Sequence, residues 1–164
     1  MMIALTQMTK PLIRRYFQGF KNDPDVYEDV SRYSVYQYSD GAADAYWERQ
    51  QTLGRIHLAI LRGSEPIGEI ILKNVDPVEH SCTLSIHLKN DSVKNQGFGT
   101  RAEILALEYV FCELGMETVY ADALAKNARS CHVLEKVGFV ETHQDGTYHY
   151  YKCTRTGWHR PAAP

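Results

Sequence analysis

Between Ile56 and Leu88 the chain carries three apolar runs joined by links too short for a crossover. The runs are Ile56–Arg62, Pro66–Asn74 and Cys82–Leu88, with Gly63-Ser64-Glu65 after the first and Asp76-Pro77 after the second. Parallel neighbours need a crossover of about a dozen residues or more, so runs this close pair as antiparallel hairpins. In the third run Cys82, Leu84, Ile86 and Leu88 alternate with polar residues, which marks one face as core. A meander here demands a sheet that is antiparallel at its centre, covered by helices from the flanking segments.

Ile3–Thr6 reads as a short first strand. Thr9 and Pro11 open a helix carrying Leu12, Ile13, Tyr16, Phe17 and Phe20 at helical spacing, and Gly19 weakens its end. Asn22 to Asp40 is irregular, and Asp40 is placed to cap a second helix running through Trp47 to Leu53, closed by Gly54. Beyond the meander, Ile104, Leu107, Phe111 and Leu114 form the stripe of a helix over Arg101–Leu114, stopped by Gly115. Thr118–Leu124 reads as a strand, Asn127 starts a helix ending at Gly138, and Phe139–Thr142 and Tyr148–Cys153 form a last hairpin. Asp145-Gly146 at its tip favours a type I′ turn. The expected fold class is α/β (α+β): a mixed, mostly antiparallel sheet of about six to seven strands, with helices on both faces. With 164 residues and 44% hydrophobic content, residues 1–155 suit one domain, comprising a helical segment (1–55) and a sheet-rich core (56–155). The tail after residue 155, including Trp158–Pro164, reads as a loose end.

Lys94-Asn95-Gln96-Gly97-Phe98-Gly99-Thr100 stands between the meander and the long helix. Glycine lets the backbone approach a ligand closely, and the free amides at a helix start attract anions. The loop therefore reads as a main-chain cradle for a phosphate-bearing ligand. A P-loop is excluded, because no Gly-Lys-Ser/Thr follows the spacer. A dinucleotide fingerprint is met by Gly97, Gly99 and Ala102, with Asp122 about twenty residues on. Against that Rossmann-type alternative stand the polar stretch Lys89–Gln96 ahead of Gly97 and the antiparallel strands upstream.

The net charge of −2 advertises no basic face for nucleic acid. No apolar window has the length of a membrane span, and the N-terminus lacks a signal-peptide core. Cys82, Cys112, Cys131 and Cys153 are widely spaced without a C-x-x-C pair, which reads as buried free thiols in a cytoplasmic protein. The seven histidines show no metal-ligand spacing, so no metal is expected.

Residues 56–153 resemble the GNAT superfamily of acyl-CoA-dependent N-acetyltransferases. The family's cofactor loop, Gln/Arg-x-x-Gly-x-Gly/Ala, is matched by Lys94-Asn95-Gln96-Gly97-Phe98-Gly99, with Lys94 as its one departure. Asn127-Ala128-Arg129-Ser130 followed by Leu134-Glu135-Lys136-Val137-Gly138-Phe139 is similar to the family's second block. Its form looks most like the branch that acetylates ribosomal-protein N-termini, whose relatives act on polyamines and drugs. The resemblance implies acetyl-CoA as co-substrate, lying between the Cys82–Leu88 and Thr118–Leu124 strands. Ile86, His87 and Leu88 would pair main chain with the pantetheine arm, the 94–100 loop would hold the pyrophosphate, and Asn127 and Ser130 would contact the cofactor. The acceptor implied is a small-molecule amine or a peptide N-terminus, and the resemblance is compatible with a homodimer. A catalytically inactive CoA-binding module is the remaining alternative.

The chemistry is attack of an amine on a thioester. An alkylammonium with a pKa near 10 is about one part in a thousand neutral at pH 7, so a base must take its proton. Glu69 is the first candidate and His87 the second, and an N–H near Leu88 would face the tetrahedral oxyanion. Many family members place a tyrosine acid where this chain has Leu134, and the resemblance offers Ser130 instead. Asp23, Asp25, Glu28 and Asp29, with Tyr27, Tyr33, Tyr36 and Tyr38, form an acidic aromatic segment that could receive a cationic amine.

Overall fold

The structure is a computed structural model that describes residues 2–162 and 164. The meander forms as its short links require: β2 (Ile56–Arg62), β3 (Glu65–Asp76) and β4 (Ser81–Leu88) run antiparallel. β3 is longer than expected at both ends. Gly63, at φ 62°, turns the chain tightly before it. After it, the Asp76 carboxylate accepts the N–H groups of Val78 and Glu79 at 2.9 and 3.0 Å. β1 (Ala4–Gln7) pairs with β2 at one edge. β5 (Thr118–Leu124), β6 (Val140–Gln144) and β7 (Tyr148–Thr154) complete a seven-stranded sheet in the order β1-β2-β3-β4-β5-β7-β6.

β4 and β5 are the parallel neighbours, and they pair only over Ser81–Thr83 against Thr118–Tyr120. Beyond Thr83 they part. A doubly wound sheet is mostly parallel, whereas the other pairings of this sheet are antiparallel, so this topology rules out the dinucleotide reading.

α1 (Lys10–Phe17) and α2 (Asp40–Thr52) cover one face of the β1–β3 region around Met8, Ile13, Tyr16, Phe17, Ala43 and Ala59. Ser39, not Asp40, caps α2: its hydroxyl accepts the Ala42 N–H at 3.1 Å. The Asp40 carboxylate is instead drawn to the Tyr38 hydroxyl and to Arg14. α3 (Phe98–Glu108) and α4 (Ala128–Val137) pack on the other face against Ile60, Ile70, Leu72, Leu84 and Val119. α3 begins earlier than Arg101 because Gly97, at φ 79°, supplies its N-cap. Its last turn widens into a π-helical segment, Tyr109–Glu113, closed by the Leu114 N–H on the Tyr109 carbonyl at 3.0 Å.

Three further expectations are corrected. Asp145 has no positive φ, so the last hairpin does not use a type I′ turn, and its carboxylate accepts the Thr147 and Tyr148 amides instead. The tail is docked: the Trp158 indole N–H donates to the Val137 carbonyl at 2.9 Å, and its ring packs 5.6 Å from Phe111. Ala163, within that tail, lies outside the described residues. Finally, Cys82 and Cys153 are buried, but Cys112 is exposed on the π-helical turn and Cys131 is half-buried.

Candidate active site

Where β4 and β5 part, a cleft of about 420 Å³ opens. β4 lines it with Ile86, His87 and Leu88, the glycine loop with Lys94, Asn95 and Gly97, and α3 with Gly99, Thr100 and Glu103. The start of α4 adds Asn127, Arg129 and Ser130, and the segment Phe20–Asp23 crosses its mouth. Two separately recognised motifs thus meet in one place, because β5 carries the chain from α3 back across the sheet to α4. A larger cavity of about 720 Å³ lies beside β1 and the π-helical segment, away from both motifs.

The start of α3 is built for an anion. Thr9, Ser39 and Asn127 cap α1, α2 and α4 with their side chains, whereas α3 has no side-chain cap and no acidic residue in its first turn. Its leading amides and the helix dipole act together there. A Cβ built on Gly99 would touch only Leu88 Cδ1, at 3.8 Å, so the fold does not require glycine at this position. Because Gly99 lines the cleft, a side chain there would take up ligand space. These features fit a diphosphate with an amide-rich arm, which would lie along the part of β4 that has no β5 partner.

Not every residue of the loop faces the cleft. Phe98 is buried in the core with the Arg62 guanidinium 5.5 Å from its ring centre, and Gln96 is exposed and donates to the Ser92 carbonyl. Both can offer only main chain. Lys94 is mostly enclosed, and its ammonium lies 2.8 Å from Asp23 and 3.0 Å from Asp91. Asp23 also receives Arg129 at 3.0 Å, so one carboxylate joins the glycine loop to the start of α4. Burial pushes the Asp23 carboxyl up, but Lys94, the Asp25 amide and Arg129 outweigh it and hold it below the usual range.

The two candidate bases sit side by side in register, Glu69 on β3 opposite His87 on β4. Glu69 is 3% exposed and does not line the cleft. Its carboxylate meets His57 Nε2 at 2.7 Å and accepts the Tyr46 hydroxyl at 2.9 Å. His87 Nδ1 lies 3.5 Å from Glu69 Oε1, and 40% of the His87 side chain is exposed. Burial alone would raise the Glu69 carboxyl, but His57 and His87 hold it well below the ordinary carboxylate range. It is a fixed anion behind His87.

Asn127 Oδ1 accepts the Ser130 N–H at 3.2 Å, so Asn127 caps α4 while facing the cleft. The acidic aromatic segment is largely spent on its own structure. Tyr36 stacks on Phe17, Tyr27 meets Tyr33 edge-on, Asp29 caps a 3₁₀ turn and Asp23 is paired. Glu28 reaches towards the Tyr148 hydroxyl, 3.5 Å away. Val119, Ala121 and Ala123 of β5 enter the core, so Tyr120 and Asp122 point to the opposite face, with Asp122 paired across from Tyr150.

Sequence reasoning missed Arg129 and Glu103 as cleft residues. Glu103 had a visible signal, since it falls on the inward stripe of α3 four residues after Gly99 and four before Leu107.

The acetyltransferase (GNAT) domain family matches residues 3–140. No curated protein matches the sequence. Among solved structures, the spermidine N-acetyltransferase from Vibrio cholerae in complex with CoA and spermine is similar, with a TM-score of 0.75 at 16% identity, over 94% of this chain and 96% of that one. Another acetyltransferase structure gives 0.71 at 24% identity, over 95% and 84%. At these identities the likeness establishes the fold, and the family match over most of the chain establishes membership. The chain belongs to the GNAT acetyltransferase family and is an acyltransferase of the acetyl-CoA-dependent kind.

Proposed function

We propose that this protein moves an acetyl group from acetyl-CoA directly to a primary amine within a ternary complex. The observation that carries this reading is the cleft itself. It joins the uncapped start of α3, the unpaired length of β4 and an accessible His87 with an anion behind it. In the reaction the amine nitrogen bonds to the acetyl carbon, the C–S bond breaks, and CoA leaves as the thiolate. His87 Nε2 takes the proton from the amine, with Glu69 as a positioning residue that holds Nδ1–H. The 3.5 Å separation is long for a hydrogen bond, as such contacts commonly are before substrate binds. Ser130, in the first turn of α4, is the side chain offered to the departing sulfur. A thiol with a pKa about like that of cysteine, 8.5, asks little of it.

The acceptor is an amine that carries positive charge. Glu28 lies 3.5 Å from the Tyr148 hydroxyl, and the charge of Asp122 acts on the same hydroxyl. Burial raises the Tyr148 hydroxyl, and the charges of Glu28 and Asp122 add to it, so these two carboxylates are offered to a cationic acceptor. The resemblance of the Asn127–Phe139 block to the ribosomal-protein branch points to a peptide N-terminus. The fold shared with a spermidine N-acetyltransferase points to a polyamine. A panel of spermidine, an aminoglycoside and a basic peptide N-terminus, read by thiol release, decides between them. Tight CoA binding with no acetylation of any amine would favour the inactive module.

Acetyl-CoA is expected to raise the melting temperature while NAD(P) leaves it unchanged. At 100 times Kd the stabilisation is about 2.7 kcal/mol. Gly99→Trp should abolish the shift without lowering the melting temperature of the free protein much, because only Leu88 lies near its Cβ. A shift with NAD(P) instead would overturn the reading. Glu69→Gln tests the positioning role. ¹⁵N NMR of His87 should show the Nδ1–H tautomer in the native protein and a mixture in the variant. An unchanged tautomer would remove Glu69 from the mechanism.

A further inference from the structure

Glu103 lies on the buried face of α3, where the flanking buried positions include Thr100, Ala102, Ala106 and Leu107. It is 2% exposed, lines the cleft, and its Oε2 has no hydrogen-bond partner among the described residues. A leucine would fill this position without that cost, since a buried polar atom left unpaired costs about 1–3 kcal/mol. An unsatisfied carboxyl in the wall of a cleft is explained if the ligand supplies its partner.

We propose that Glu103 is a hydrogen-bond donor to an amide carbonyl in the middle of the cofactor's pantetheine arm. This deepens the acetyl-CoA reading and rests on it.

Distance selects the part of the arm. Glu103 is three to five residues beyond the leading amides of Phe98–Thr100, which at 1.5 Å per residue places it about 5–8 Å further along the helix than the anion-binding amides. The arm between pyrophosphate and sulfur has about as many bonds as four extended residues, about 14 Å. Glu103 therefore reaches the amide groups of the arm and falls short of the sulfur, so it is not the acid for the leaving thiolate.

Its protonation state suits the role. Burial pushes the carboxyl up to about 8, so at neutral pH it keeps its proton and can donate. The charged and titratable groups around the cleft are His87 on β4, Lys94 on the loop, Lys21 and Asp23 on the crossing segment, and Arg129, His132 and Lys136 on α4. Lys94 and Arg129 are both paired with Asp23. Arg101, on the same helix, donates to the Pro164 carbonyl. The shift of Glu103 comes from its burial.

The sign follows from linkage. The folded carboxyl titrates near 8 and the unfolded one near 4.5, so stability is lost as pH rises through that window. Cofactor affinity should be level near neutrality and fall as pH rises through about 8, when the donor becomes a carboxylate facing a carbonyl.

The test measures binding of two probes by calorimetry between pH 6.5 and 9.5. One is desulfo-CoA, which has no thiol to titrate, and the other is adenosine 3′,5′-bisphosphate, which has no arm. For the native protein, desulfo-CoA should weaken about 3- to 10-fold across the transition while the bisphosphate stays level. Glu103→Gln keeps a neutral donor, so its neutral-pH affinity should be retained and the pH step should vanish. Glu103→Leu should lose about 3- to 10-fold for desulfo-CoA at neutral pH, nothing for the bisphosphate, and melt higher than the native protein at pH 8. Native-like desulfo-CoA binding by the leucine variant, or a pH step that survives in Glu103→Gln, overturns the proposal. If the native protein binds neither probe, the acetyl-CoA reading itself falls, which separates the two failures.

Discussion

Replacing His87 by alanine is expected to lower turnover by about 100- to 10,000-fold while acetyl-CoA affinity changes little. The size follows from the chemistry, because an amine with a pKa near 10 is almost wholly protonated at pH 7 and cannot attack the thioester in that form. The split between turnover and binding follows from the structure. Main-chain pairing to the cofactor arm survives the loss of an imidazole, so only the proton transfer is lost. Steady-state kinetics with the best amine of the panel, beside direct binding of acetyl-CoA, measures both. Partial rescue by added imidazole should accompany the loss, with less loss in Glu69→Gln, where the imidazole remains but is held loosely. Native turnover in His87→Ala would remove His87 as the base and leave proton transfer to water or to the substrate.

Gly68→Val is expected to destabilise the fold by about 3 kcal/mol, lowering the melting temperature by about 6–12 °C. Gly68 lies on β3 opposite Leu88, next to the irregularity at Ile60/Leu61 where β2 and β3 shift register. A Cβ there would stand 2.7 Å from the His87 carbonyl, 2.9 Å from Ile60 Cδ1 and 3.0 Å from Leu88 Cδ2. The first contact is with backbone, which cannot rotate away, and two further methyl groups deepen the overlap. The strand pushed aside is the one proposed to pair with the cofactor, so acetyl-CoA should also bind more weakly. Gly41→Ala is the control: α2 leaves nothing within 4 Å of a new Cβ, and helix propensity favours alanine by about 0.5–1 kcal/mol. Thermal melts of the two variants should move in opposite directions, and a Gly68→Val protein melting with the native one would show that β3 and β4 can separate freely.

Much of the architecture was legible in the residues. The three short-linked strands, the stripes of the helices and the αL glycine closing α4 are local consequences of spacing and backbone sterics. The misread details were settled by competition between neighbours. Ser39 took the cap that Asp40 was given, because Asp40 is occupied by Tyr38 and Arg14. Trp158 reads as part of a loose polar tail, yet its indole is held by the free carbonyl of Val137 near the end of α4. Lys94 reads as a cation for phosphate, and the fold brings Asp23 to it across 71 residues.

The sequence by itself determined that this chain builds an antiparallel meander followed by a glycine-led helix and an Asn127–Phe139 block. Those features depend on contacts between residues near one another in the chain. Tertiary structure alone decided which of the two candidate bases faces the cleft, because side-chain alternation puts Glu69 and His87 on one face and only packing of Tyr46 and His57 over Glu69 seals it away. It also decided that Glu103 lines that cleft with its Oε2 unpaired among the described residues, since a single glutamate on an apolar stripe does not reveal whether a partner awaits it. The physical reason is the same in both cases. Burial and pairing are properties of the surroundings in space, and the groups that supply them here come from distant parts of the chain.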